Sequence, residues 1–117
     1  MRRLTCAGAL LALCCACGSE VGPTKELRQD VDVVETALLE ARQHLQSNRH
    51  QQAIEACERG LSVDSTHVQL NNLLATVEAG QGRYAPAIAA IERALRHDPD
   101  YALGHLNLGG IHYKLGR

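Results

Sequence analysis

The chain has no tryptophan and no phenylalanine, and only three tyrosines and one methionine among its 117 residues. A core without large rings must be filled by small and aliphatic side chains, which favours helices packed closely together. An excess of charge of either sign is also missing: 12 Lys and Arg mix with 13 Asp and Glu, for a net charge of −1. With neither a basic stripe nor an acidic tail, nucleic acid is not an expected partner. Long hydrophobic runs are absent as well. The apolar stretch from Leu4 to Cys17 covers 14 residues, whereas a helix that crosses the hydrocarbon core needs about 20. A chain of this length has room for one modest domain, whose core must be economical.

Cysteine is present but unevenly placed. Cys6, Cys14, Cys15 and Cys17 crowd the start, and only Cys57 lies beyond it. A disulfide framework is not expected from that distribution. A metal site built from Cys14, Cys15 and Cys17 is not expected either, because zinc ligands pair two to four residues apart and need a second pair or histidines. Instead, the cationic MRR followed by LTCAGALLALCCAC has the form of a secretion signal. The small residues leading to Cys17, with Gly18 and Ser19 after it, resemble the lipobox of bacterial lipoproteins. This chain departs from that family in having Cys14 where Leu is preferred three positions before the cysteine. The resemblance implies that residues 1–16 are removed and that Cys17 carries lipid, with Cys15 as the alternative acceptor. Acylation by two or more chains would hold the protein on a membrane at about 0.8 kcal/mol per buried methylene. Gly18 stands where lipoproteins retained in the inner membrane carry Asp, so the implied address is the outer membrane, facing the periplasm. An ordinary cleaved secretory signal, an uncleaved anchor and a mistaken start codon are the competing readings of the same segment.

GSEVGP, residues 18–23, has no periodicity, and residues 17–24 are expected to form a tether. Beyond it, Leu27, Val31, Val34, Leu38, Ala41 and Leu45 recur at alternating spacings of four and three, which predicts an amphipathic helix of about 20 residues. Asn48 suits the turn after it, because Asn tolerates the left-handed backbone.

The chain also repeats itself. Shifted by 34 residues, AIEACERGLSVDS (53–65) falls on AIAAIERALRHDP (87–99), and Arg49, Arg83 and Arg117 come into step. Leu74 falls on Leu108 and Gly82 on Gly116 under the same shift. With this period the residues resemble the tetratricopeptide repeat, a helix-turn-helix unit of 34 residues. Residues 68–101 carry Leu74-Ala75, Ala87-x3-Ile91 and Pro99 at the family's positions. Residues 102–117 carry Leu108-Gly109 in an incomplete unit. Residues 34–67 are the most divergent, with Glu40 in place of Leu, Cys57 in place of an aromatic and Ser65 in place of Pro. The expected fold is therefore all-α, a solenoid of about two and a half helix-turn-helix repeats over residues 25–117. Leu74, Ala75, Ala87 and Ile91 are expected between paired helices, Gly82 and Gly116 at chain reversals, and Pro86 in a first turn, where no N–H is required.

No convergent acid, base or nucleophile suggests catalysis, and GQGR (80–83) lacks the remaining glycine and the Lys of a nucleotide loop. The chain is not expected to be an enzyme or to need a cofactor or metal. His105 and His112 stand seven residues apart, too far to share a tetrahedral ion, and are expected to pack where the repeat usually has aromatics. Cys57 is expected as a buried small hydrophobe.

The resemblance further implies that the first helix of each repeat lines a groove for a protein or peptide. That places Glu35, Leu38, Arg42 and Gln46 of the first repeat along it, with Gln69, Asn72 and Thr76 of the second. Leu106, Gly110, Tyr113 and Lys114 of the third complete the lining. The combination of parts resembles repeat-bearing lipoproteins that assist assembly of outer-membrane proteins and type IV pili, and no motif separates those roles. The expected function is a membrane-anchored protein-interaction scaffold. The alternative is a non-catalytic repeat segment of a larger secreted enzyme such as a peptidase. The helix from Ala102 is apolar on more than one side, unlike a polar cap, which suits a truncated array better than a closed one.

Overall fold

A computed structural model describes residues 22–117 and assigns side-chain surroundings from residue 28 onward. The leader and most of the expected tether lie outside the described residues. Five helices follow in order: α1 (Gly22–Gln46), α2 (His50–Val63), α3 (Val68–Gly80), α4 (Tyr84–His97) and α5 (Ala102–Lys114). There is no strand among the described residues. Residues 33–117 form a compact unit that holds the helical repeats. α1 starts at Gly22, so Gly22, Pro23 and Thr24, expected in the tether, lie in its first turn. Pro is compatible with that position because the first N–H groups of a helix have no intrahelical partner.

The connections carry the repeat more strictly than the helices do. Asn48, Gly82 and Gly116 have φ of 57°, 80° and 77°, and the three are spaced 34 residues apart. Each follows a helix in the left-handed conformation, and each turn closes with the same pair of backbone bonds. Arg49 N donates to His44 O (2.8 Å), Arg83 N to Glu78 O (2.9 Å) and Arg117 N to His112 O (2.8 Å). One residue earlier, Asn48, Gly82 and Gly116 donate to Leu45, Ala79 and Tyr113 at 3.0 to 3.1 Å. This is the Schellman arrangement, which satisfies the last carbonyls of a helix and turns the chain back on itself.

The other connection is also conserved in form. Asp64 and Asp98 close α2 and α4 with extended φ of −134° and −137°. Asp64 Oδ1 accepts from Thr66 N (3.0 Å) and Thr66 Oγ (2.7 Å), and Asp98 Oδ1 accepts from Asp100 N (3.3 Å). An aspartate that hydrogen-bonds the backbone two residues on offers the chain a turn in place of further helix.

Three buried clusters run along the stack. Val34 and Ala41 of α1 meet Ala56 and Cys57 of α2 and Leu70 of α3. Ala53, Ile54 and Val77 form a second cluster, to which Leu45 and Leu74 pack. Ala75, Ala87, Ala90, Ile91 and Ile111 form the third, joining α3, α4 and α5, with Leu74 and Leu108 against it. Small residues dominate these contacts, and this lets helix axes approach closely. The expected meeting of Leu74, Ala75, Ala87 and Ile91 is therefore present, and Cys57 is fully buried. α3 packs on α2, α4 and α5, and α5 also packs on α4. α3 is consequently the central helix of this unit.

One close approach was not visible in the sequence. A Cβ placed on Gly60 would lie 2.5 Å from Leu70 Cδ1 and 3.0 Å from Ala37 Cβ. Shifted by one repeat, Gly60 and Leu70 become Ala94 and Gly104, so bulk moves from one partner to the other. A Cβ on Gly104 would meet Leu95 Cδ2 at 3.0 Å. Constant interhelical volume, rather than constant residues, is what the two levels share.

Candidate protein-binding groove

The first helices of the second and third repeats, α3 and α5, lie side by side, and a cavity of about 410 Å³ opens between them. Ala75, Thr76, Ala79 and Gly80 line it from α3, and Leu106, Asn107, Gly110, Ile111 and Lys114 from α5. The small residues make the cavity: Cβ atoms at Gly80 and Gly110 would meet nothing within 4 Å. Four residues expected from the resemblance, Thr76, Leu106, Gly110 and Lys114, are brought together here.

The polar groups at the floor are already partnered. Asn107 Nδ2 donates to Asn72 Oδ1 at 2.9 Å and to Thr76 Oγ at 3.2 Å, and Thr76 Oγ donates back to Asn72 O at 3.0 Å. Asn72 is 8% exposed, so its side chain belongs to the α3–α5 contact more than to an open lining. A buried polar group without a partner costs about 1–3 kcal/mol, and here Asn107 Nδ2 supplies the donor that Asn72 Oδ1 needs. Asn107 was not among the residues expected in the groove. The only signal for it in the sequence is its position one turn before Ile111 on a helix that has a single charged residue.

The remaining expected residues are distributed as follows. Glu35, Arg42 and Gln46 are exposed on α1, and Gln69 is exposed on α3. Leu38 is half-buried against the first cluster, as its place in the apolar stripe requires. Tyr113 is 84% exposed on α5. Lys114, in the lining of the cavity, makes no ion pair among the described residues, whereas elsewhere Arg59 pairs with Glu40 and Arg83 with Glu78.

The histidines correct one expectation. His105 does not pack in place of an aromatic; it is exposed, and its Nε2 lies 2.6 Å from Pro99 O. One repeat earlier, buried Asn71 makes the equivalent bond, Nδ2 donating to Ser65 O at 3.0 Å and to His67 O at 3.1 Å. Arg93 Nε completes Asn71 by donating to its Oδ1 at 3.0 Å. The family's aromatic position is thus used here to hold the preceding turn by a hydrogen bond. His67 caps α3, with Nδ1 accepting from Leu70 N at 3.2 Å, which satisfies one of the helix's free N–H groups.

Among the described residues no group of three or more His, Cys, Asp or Glu could hold a metal ion. No helix among them is long and apolar enough to cross a membrane. Burial pushes the Cys57 thiol up to about 12, with nearby Glu58 adding to the effect, so this side chain is a neutral core group rather than a nucleophile. The arrangement offers a cavity between two helices, with Asn72, Thr76 and Asn107 hydrogen-bonded across their contact. Repeats of this architecture use such surfaces to bind proteins. No curated protein matches the chain. Residues 72–117, comprising most of α3 with all of α4 and α5, match the family model of the tetratricopeptide repeat.

Proposed function

We propose that this protein is a protein-interaction scaffold held at the cell envelope by lipid on Cys17, and that it takes a segment of its partner into the groove between α3 and α5. The observation that carries the reading is the cavity of about 410 Å³, whose floor amides are already hydrogen-bonded to each other. Beside that bond, Ala75, Ala79, Leu106, Gly110 and Ile111 give the cavity an apolar wall against which a partner's apolar side chains can pack. Anchoring would confine the groove to a membrane surface and raise the effective concentration of partners there. Assistance in assembling envelope proteins or pili is the finer form of this reading, supported by the resemblance of the leader and the repeats taken together.

A photo-crosslinking residue placed at Thr76 or Gly110, and as a control at exposed Glu55 on α2, tests the groove in intact cells. Adducts of defined mass from the first two positions and none from the third are expected. Equal labelling at all three would refute groove binding. The anchor is tested separately by intact mass and membrane fractionation of the wild type and Cys17→Ala. A soluble, unacylated wild-type chain would remove the anchor and leave the groove reading in place.

A further inference from the structure

The contact between α3 and α5 is polar at positions that are apolar one repeat earlier. Under the 34-residue shift Asn72 and Asn107 fall on Leu38 and Leu73, and those two leucines, on α1 and α3, pack against the first buried cluster. In place of a second leucine pair, one amide nitrogen of α5 is held by two acceptors from successive turns of α3. Asn107 Nδ2 donates to Asn72 Oδ1 at 2.9 Å and to Thr76 Oγ at 3.2 Å. Thr76 Oγ is itself fixed, because it donates to Asn72 O at 3.0 Å. Thr76 and Asn107 also line the cavity, whereas Asn72 lies behind them, 8% exposed.

We propose that Asn72, Thr76 and Asn107 form a clasp that fixes the separation and register of α3 and α5, and thereby sets which partner side chains the groove admits. This rests on the reading of that groove as the binding site. Apolar contact is non-directional, so a leucine pair tolerates sliding and tilting of one helix against its neighbour. Hydrogen bonds weaken steeply away from their preferred distance and angle. A slide of α5 along α3 by one residue's rise, about 1.5 Å, cannot keep both acceptors in reach of one nitrogen. Stability alone does not call for this arrangement, since exchanging both partners of a buried hydrogen bond for apolar groups is nearly neutral or stabilising. A single buried asparagine fixes register in paired helices for the same reason. Asn72 is thus a positioning residue, acting on the groove through Thr76 and Asn107.

Spin labels attached to ketone-bearing residues at Gln69 and Leu103 test this in the full chain in non-ionic detergent. These two exposed positions correspond to one another on α3 and α5, and electron paramagnetic resonance reads the spread of distances between them. The wild type is expected to give a narrow spread. Asn72→Leu with Asn107→Leu, which installs the residues of the preceding repeat, is expected to widen it by about twofold or more as the directional bonds are lost, with the urea midpoint equal or higher. Equal widths overturn the proposal. So does a widening accompanied by a lower urea midpoint, which would mark the asparagines as an ordinary stabilising contact. A photo-crosslinking residue at Gly110 separates the clasp from the groove reading. Adducts of the same mass and yield with and without the two leucines overturn the clasp and leave the groove reading in place. No adduct from the wild type refutes the groove reading, and the label distances still decide the clasp.

Discussion

Asn107 Nδ2 donates to Asn72 Oδ1 at 2.9 Å across the α3–α5 contact, joining two residues 35 positions apart at the base of the groove. Removing Asn107 leaves the buried Asn72 Oδ1 without its donor, and removing Asn72 leaves Asn107 Nδ2 only its longer bond to Thr76 Oγ, while removing both strands neither. Asn72→Ala and Asn107→Ala are therefore expected to cost about 1–2 kcal/mol each, and the double variant less than their sum by about 1 kcal/mol. Urea denaturation of the four proteins measures the coupling. Strict additivity would mean that the amides do not act as a pair.

Gly60 is expected to resist replacement although it lies within a helix. Alanine normally stabilises a helix by about 1 kcal/mol relative to glycine, but at Gly60 its Cβ would come 2.5 Å from Leu70 Cδ1. Leu70 is fully buried and has little room to move. Gly60→Ala should destabilise by about 1–3 kcal/mol through overpacking. In a Leu70→Ala background the same change should become neutral or stabilising. A loss of equal size in both backgrounds would show that the contact is not the cause.

Cys57 provides a probe of opening and of alkaline stability. Its thiol is pushed to about 12 by burial first and Glu58 second, from 9.0. Because the folded value lies above the unfolded one, the contribution to stability is complete below pH 9 and is lost as pH rises toward about 12. Denaturation midpoints should fall over that window, and Cys57→Ala should flatten the fall. Under native conditions near neutral pH, labelling of Cys57 by a disulfide reagent should follow unfolding of the first cluster rather than the reagent's intrinsic rate.

Asp64 sets the acid side. The Thr66 hydroxyl bond holds its carboxyl below the usual value against the opposing effect of burial, with lesser help from Thr66 N–H and from His67 and His97. A depressed folded pKa gives stability that is present above the unfolded pKa and lost as pH falls through the folded one. Thr66→Val removes the leading cause. The Asp64 carboxyl, followed by carbon-13 NMR, should then titrate at higher pH. An unchanged titration would show that the hydroxyl is not what lowers it.

What the sequence determined by itself was periodic or backbone-coded. The 34-residue repeat, the chain reversals at Asn48, Gly82 and Gly116 and the Ala75–Ala87–Ile91 contact depend on local conformation and on spacing along one helix. Both are written in residue type. Tertiary structure decided what depends on distances between helices. Gly60 is recognisable as a contact point only once Leu70 is opposite it, and Asn107 as part of the groove floor only once Asn72 faces it. His105 occupies an aromatic position in the repeat, yet it is exposed and bonds Pro99 O, as buried Asn71 bonds Ser65 O one repeat earlier. Residue type on a helix predicts that a surface will be buried, whereas what buries it is a property of the neighbouring helix, and only three-dimensional packing brings that neighbour into place.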